Sequence, residues 1–112
     1  MDNLKAHETY LCKVVSTRYK KNIKLLIKES KPSQLNAICE IILNTIKGVI
    51  PIPKALHKKI TKYKIVFRDL VLKCLKRALR KKLLIKYYNI VRTLLAAVLP
   101  ICGIIGEVLV SA

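Results

Sequence analysis

Apolar residues recur every three or four positions along most of this chain, which is the spacing of helices with one buried face. The spacing predicts a first helix over Asn3–Val15 and a third over Pro32–Lys47, which Gly48 ends. Between them, a second helix places four apolar side chains on one face, namely Tyr19, Ile23, Leu26 and Ile27. Two prolines make residues 49–53 extended, because a proline disfavours helical backbone in the residue before it. A fourth helix begins at Lys54, and we expect a break in it within Leu70–Lys76.

Together these elements predict an all-α fold, a small bundle of four or five helices with an apolar C-terminal helical tail. Residues 1–92 would form a basic helical domain, and residues 93–112 would form the tail. A chain of 112 residues is long enough for one hydrophobic core and too short for a second. The predicted core residues are Leu35, Ile38, Ile42, Ile46, Leu56, Ile60, Tyr63, Phe67 and Leu70.

Charge adds a functional indication, because 23 Lys and Arg residues against 6 Asp and Glu give a net charge of +17. Hydrophobic residues make up 53% of the chain, whereas disordered basic tails are poor in them. Residues 54–92 contain fourteen basic residues and one acidic residue, while residues 93–112 contain no basic residue. A folded protein this basic favours a polyanionic partner, so we expect it to bind nucleic acid.

The basic stretch Lys73–Lys86 is the strongest indication of a binding site. Leu75, Leu79 and Leu83 form a row at i, i+4 and i+8 that would hold a helix to the core, and basic residues cover the remaining surface. Solvated helix faces usually mix charges of both signs, and this stretch does not. Lysines of the fourth helix complete the predicted nucleic-acid-binding set, and the second helix is a further candidate. The set is Lys73, Lys76, Arg77, Arg80, Lys81, Lys82, Lys86, Lys58, Lys59 and Lys62.

The apolar segment Thr93–Ala112 has three interpretations. Its 20 residues are long enough to cross a bilayer as a helix, with the preceding cations on the cytoplasmic side. Pro100 and Glu107 weaken such a span, and packing on the rest of the protein, on a capsid or on a second copy is the alternative. The third interpretation is a membrane-disrupting segment that contacts anionic lipid. Under each, the contact residues would be Leu94, Leu95, Val98, Leu99, Ile101, Ile104 and Ile105.

Catalysis and metal binding have little support in the sequence. The acidic residues are dispersed, and neither His7 nor His57 has a catalytic partner or a metal ligand at a useful spacing. No two of the four cysteines are close enough for a CxxC metal site. Because the first residues do not resemble a signal peptide, we expect buried thiols in a reducing compartment. We therefore predict a non-enzymatic protein with no cofactor and no metal.

One family resemblance adds to this. The run Gln34-Leu35-Asn36-Ala37-Ile38-Cys39-Glu40-Ile41, then Leu43-Asn44 and Gly48-Val49-Ile50-Pro51, resembles short basic proteins of adintoviruses and polinton-like elements. The likeness continues through Lys58-Lys59, Tyr63-Lys64, Arg68 and the later basic stretch to the apolar Leu94–Pro100. Those proteins are in turn similar to the adenovirus core peptide X (mu), which has a basic segment followed by an apolar tail.

The resemblance implies a virion core protein that helps to condense double-stranded DNA. It would act in the virion core and the host nucleus, and Lys73–Lys86 would contact the DNA. Two other classes of function stay open at the level of sequence. One is a tail-anchored or membrane-active protein, and the other is a helical adaptor that holds a capsid or another partner protein.

Overall fold

The structure, a computed structural model, describes residues 6–48, 50–72 and 75–101. Within these ranges the chain forms seven helices and no strand, which confirms the predicted all-α bundle. The helices are α1 (Glu8–Ser16), α2 (Lys20–Lys28), α3 (Pro32–Ile46), α4 (Lys54–Lys62), α5 (Lys64–Leu70), α6 (Arg77–Lys86) and α7 (Tyr88–Ile101).

The ends of α3 follow from its sequence. Pro32 occupies the first helical position, where its missing N–H costs no hydrogen bond, and the Lys31 amide donates to Gln34 Oε1 at 2.7 Å. Gly48 adopts a φ of 77°, and its amide donates to the Thr45 carbonyl oxygen at 3.1 Å. This left-handed glycine stops the helix, as predicted. The chain then returns to the core through Ile50, which is buried.

The helical region predicted to begin at Lys54 is divided more finely than its pattern indicates. A break at Tyr63 separates α4 from α5. The bend expected within Leu70–Lys76 is confirmed, because α5 ends at Leu70 and α6 begins at Arg77. A further break at Tyr87 turns α7 by 87° relative to α6.

Most of the predicted core is buried, with two exceptions. Leu35, Ile38, Ile42, Leu56, Ile60, Phe67 and Leu70 all belong to the buried cluster. Ile46 and Tyr63, however, are 38% and 36% exposed, so their assignment to the core is wrong. Ile46 is the last residue of α3, and Tyr63 lies at a break where the helical phase changes. Tyr19 likewise precedes α2 and is 76% exposed, although its spacing places it on the buried face.

The helix α7 occupies the centre of the bundle, in contact with α1, α3, α4 and α6. Four of its side chains, Leu94, Leu95, Val98 and Leu99, have exposures of 0–1%. The expected boundary between residues 92 and 93 therefore falls inside a single core helix. Burial of each such side chain contributes about 1.5–3 kcal/mol, so this part of the apolar segment stabilises the fold.

Cys12 and Cys39 are buried, as expected for structural thiols. The Cys39 thiol donates to the Leu70 carbonyl oxygen at 3.3 Å, which joins α3 to the end of α5. Burial raises the pKa of Cys39, and the nearby Arg80 guanidinium opposes that rise. Cys74 and Cys102 lie outside the described residues.

Candidate nucleic-acid interface

The helix α2 presents a row of four lysines to solvent. Ile23 and Ile27 are 0% and 2% exposed, and they fix the orientation of the helix against the core. Successive residues of an α-helix are rotated by about 100° around its axis. The four lysines therefore lie within an arc of about 100°, directly beside the edge that Ile23 and Ile27 bury. All four are exposed, namely Lys20, Lys21, Lys24 and Lys28.

The helix α6 is attached to the core by a different residue from the one its pattern indicates. Leu84 is 1% exposed, whereas Leu79, the middle of the predicted Leu75–Leu79–Leu83 row, is 48% exposed. Leu75 and Leu83 are partly buried. The predicted row is wrong for two reasons. Leu75 precedes α6, which begins at Arg77, and the side of α6 that faces the neighbouring helices is the one with Leu84. Basic residues therefore occupy both flanks of Leu84 as well as the opposite side.

The helices α2 and α6 pack against each other, and two contacts between them indicate antiparallel directions. Lys81 Nζ donates to the Lys28 carbonyl oxygen at 2.6 Å, at the C-terminal end of α2. At the other end, Lys20 lines the same cleft as Lys86. The two helices contain four and five basic residues and no acidic residue. We call the exposed cations of these helices, with Lys76 at the start of α6, the α2–α6 face.

The cations of α6 differ in how free they are to meet a ligand. Arg80 and Lys81 are partly buried, and Arg80 Nη2 donates to the Leu72 carbonyl oxygen at 2.7 Å. The Lys81 ammonium stabilises the carbonyl end of α2, where the helix dipole favours a cation. Lys81 therefore joins α6 to the end of α2, and Arg80 joins α6 to the segment that precedes it. The exposed cations at this helix are Lys76, Arg77, Lys82 and Lys86.

The end of α4 comes close to the end of α6 through the two tyrosines that follow these helices. The Tyr63 and Tyr87 rings pack edge to face, with centroids 6.0 Å apart, and Lys86 Nζ lies 5.5 Å from the Tyr87 centroid. Lys62, the last residue of α4, precedes Tyr63 and is exposed. Lys58 and Lys59 are exposed about one turn farther along α4. Lys73 lies outside the described residues.

Sequence reasoning gives the α2 lysines only an accessory place, whereas the structure sets them directly beside α6. Their periodicity reveals an exposed flank of α2 but not its neighbour. Only the tertiary contact of α2 with α6 turns two separate basic helices into one surface. Glu29, which follows α2, lines a different cleft with His7, Lys13 and Gln34.

The residues predicted to contact a membrane or a partner lie in three environments. Leu94, Leu95, Val98 and Leu99 are in the chain's own core, so they present no surface to either. Ile101 is 48% exposed, and Ile104 and Ile105 are outside the described residues. Over the described part of the chain, no single helix has the length and hydrophobicity of a membrane span. The bent pair α6 and α7 has the length and hydrophobicity of a span when both helices are taken together.

No group of three or more histidine, cysteine or acidic residues gathers to hold a metal within residues 6–48, 50–72 and 75–101. Comparison with protein-family models, curated proteins and solved structures finds no match. The resemblance to adintovirus proteins stays a prediction.

Proposed function

We propose that this protein binds double-stranded DNA through the phosphate backbone, independently of base sequence and without catalysis. The observation that carries the proposal is the α2–α6 face, where two antiparallel helices contribute basic residues and no acidic residue. Ordinary protein surfaces mix charges of both signs, which limits their attraction to a polyanion. This face instead provides a patch of positive potential that attracts phosphates.

The dimensions of the face suit a duplex backbone. At 1.5 Å per residue, the nine and ten residues of α2 and α6 make helices about 13–15 Å long. That length of duplex carries about four phosphates on each strand. Lysine predominates among the exposed cations, and a lysine ammonium neutralises phosphate as a point charge without the planar fork that reads guanine.

The finer role that we propose is condensation of DNA in a virion core, with the protein acting in the virion and the host nucleus. The resemblance to adintovirus proteins supports this role, as does the net charge of +17. Condensation also requires one protein to meet more than one DNA segment. The exposed lysines of α4 provide further cations outside α2 and α6, which favours contact with a second DNA segment.

The primary test is the affinity of the full chain for a labelled duplex, measured by fluorescence anisotropy as a function of salt. We expect binding that falls about 10²- to 10⁴-fold between about 50 and 200 mM salt, for four to eight phosphates neutralised. Duplexes of unrelated sequence should bind equally. A flat salt dependence, or no binding at about 50 mM salt, would overturn the proposal.

A membrane-active function is the competing proposal, favoured by the combined length of α6 and α7. Removing residues 93–112 does not test it cleanly, because the deletion also removes four core side chains. A triple substitution of Ile101, Ile104 and Ile105 by Asp leaves those side chains in place. If the protein is membrane-active, liposome flotation of the full chain should be lost in the triple variant while DNA binding persists.

An adaptor function is the third proposal, favoured by large apolar side chains on the surface. Leu25, Ile65 and Leu79 are 56%, 76% and 48% exposed. Pull-down of capsid proteins that is abolished by Leu25→Asp and Ile65→Asp, and that persists in high salt, would support an adaptor over charge-driven binding.

A further inference from the structure

A small cleft lies at the end of the α2–α6 face where α2 begins and α6 ends. Its volume is about 230 Å³, and its lining residues are Arg18, Lys20, Ile85, Lys86, Tyr88 and Asn89. Three of these carry a positive charge, one contributes a side-chain amide and none is acidic. Cations that converge on one concavity attract a single anion more strongly than the same cations spread over a flat face.

The loop that carries Arg18 is held by α7. The Tyr88 hydroxyl donates to the Thr17 carbonyl oxygen, and Arg92 Nε donates to the Val15 carbonyl oxygen at 2.5 Å. The Thr17 hydroxyl also donates to the Lys13 carbonyl oxygen at 2.6 Å. The backbone on both sides of Ser16 is therefore tied to α1 and α7. Because these hydrogen bonds already hold the backbone of this wall, anion binding costs little conformational entropy there.

The lysine on the opposite wall is also partly oriented. Lys86 Nζ lies 5.5 Å from the centre of the Tyr87 ring, which packs in turn against Tyr63. This contact restricts the lysine stem near the cleft.

The helix α2 begins at this cleft with Lys20 and adds to its positive potential. At Tyr87 the carbonyl end of α6 and the amide end of α7 adjoin, so their dipoles oppose each other. Tyr19, which precedes α2, makes no side-chain cap to the first amides. Open amides and the helix dipole both favour an anion at such an end, and here they supplement the three cationic side chains.

We propose that this cleft binds one phosphate group. The group has negative charge and several acceptor oxygens, which match the cations and the amide donors around the cleft. The proposal deepens the proposed function, and it rests on that function where the phosphate belongs to the DNA backbone. A terminal phosphate of a nucleic acid or free inorganic phosphate offers the same chemistry.

The test is a titration of the ¹⁵N-labelled full chain with inorganic phosphate at constant ionic strength, followed by amide chemical shifts. We expect saturable shifts confined to the amides of residues 18–21 and 86–89. The double variant Arg18→Gln/Lys20→Gln should weaken phosphate binding at least tenfold, and Lys86→Gln on the other wall should weaken it independently. The control, Lys13→Gln/Lys47→Gln, removes the same charge from exposed sites outside the cleft and should stay within twofold of wild type.

The far-ultraviolet circular dichroism of each variant establishes that it is folded. Shifts that are non-saturable and spread over all the lysines would overturn the proposal, as would an equal loss of binding in the control. Duplex binding with a normal salt slope but no local phosphate site would overturn the cleft and leave the proposed function standing. A local phosphate site without duplex binding would overturn the proposed function and leave the phosphate site standing.

The source of the phosphate is separated with short duplexes that carry or lack a 5′-phosphate. Shifts at residues 18–21 of equal size with both would assign the cleft to the backbone. Shifts that require the 5′-phosphate would assign it to a nucleic-acid end. If neither duplex produces shifts there but inorganic phosphate does, the site binds free phosphate and the backbone assignment is overturned.

Discussion

The α2–α6 face predicts how DNA affinity should respond to the loss of two charges. The perturbation is Lys21→Gln/Lys24→Gln, at two exposed residues of α2. Lysine and glutamine have similar helix propensities, so the substitution removes charge without a comparable cost to the helix. Its matched control is Lys13→Gln/Lys47→Gln, which lowers the net charge equally. Lys13 lies on the other side of α2, in a cleft that it shares with Leu26 and Glu29.

The magnitude follows from the number of phosphates that the face can cover. A face about 15 Å long can neutralise from four phosphates, on one strand, to eight on both strands. The logarithm of the affinity should therefore fall with the logarithm of the salt concentration with a slope between about −4 and −7. Each lysine that contacts a phosphate contributes about 0.9 to this slope, so the α2 double variant should reduce its steepness by about 1.8.

Anisotropy titrations of one duplex at several salt concentrations measure these slopes for wild type and both variants. We expect the control variant to keep a slope close to that of wild type, because its lysines make no phosphate contact. Equal reductions in the two variants would refute the localised face and indicate binding by diffuse net charge. An unchanged slope in the α2 variant would show that α2 does not contact DNA.

Two further predictions concern the fold that supports the face. Leu84→Ala should lower the free energy of unfolding, measured by urea denaturation, by about 2–5 kcal/mol. Leu79→Ala should lower it by less than about 1 kcal/mol. The opposite order would show that the predicted Leu75–Leu79–Leu83 row, and not Leu84, packs on the core. Burial raises the pKa of Tyr88, with Arg92 opposing the rise, so the neutral phenol contributes stability that is complete at neutral pH and is lost as the pH rises above about 10. The difference in unfolding free energy between wild type and Tyr88→Phe should shrink over that range, and a difference that stays constant to pH 11 would contradict the pKa rise.

Features that depend on neighbouring residues in the chain were predictable from the sequence, whereas features that depend on contacts between helices were not. The limits of α3 were predictable because Pro32 and Gly48 act on their own backbone and need no distant partner. The side of α6 that faces the core was not, because almost every position around Leu84 is either leucine or a cation. A pattern with several equivalent apolar rows does not select one of them, and contacts with α2, α5 and α7 make the choice.

The same distinction applies to the candidate site. Charge counting identified α6 as the basic helix, but it gave Arg80 and Lys81 the same role as their exposed neighbours. In the structure these two side chains donate to backbone carbonyls of other segments. The apolar segment was ambiguous for a related reason, since composition alone does not distinguish a membrane helix from a central core helix. The burial of Leu94 to Leu99 in α7 assigns that part to the core.

A last prediction separates recognition by the folded face from attraction by charge alone. The unfolded chain carries the same net charge of +17, so DNA bound to the unfolded chain reduces the stabilisation of the native state. The native chain differs by holding exposed cations on two packed helices, and by placing Lys20 and Lys86 of these helices in one cleft with Arg18. If DNA bound only the native state, a DNA concentration 100 times Kd would raise the free energy of unfolding by about 2.7 kcal/mol. Binding to the unfolded chain makes the gain at that concentration smaller.

Thermal unfolding followed by circular dichroism should therefore show a higher Tm with excess duplex at about 50 mM salt, and the gain should disappear at about 200 mM. The gain should be smaller for Lys21→Gln/Lys24→Gln than for Lys13→Gln/Lys47→Gln, because only the first pair belongs to the α2–α6 face. If Tm is unchanged or falls while anisotropy still reports binding, the unfolded chain binds DNA at least as well as the native one. In that case the arrangement of α2 and α6 adds nothing to charge, and the interface proposed for them is refuted.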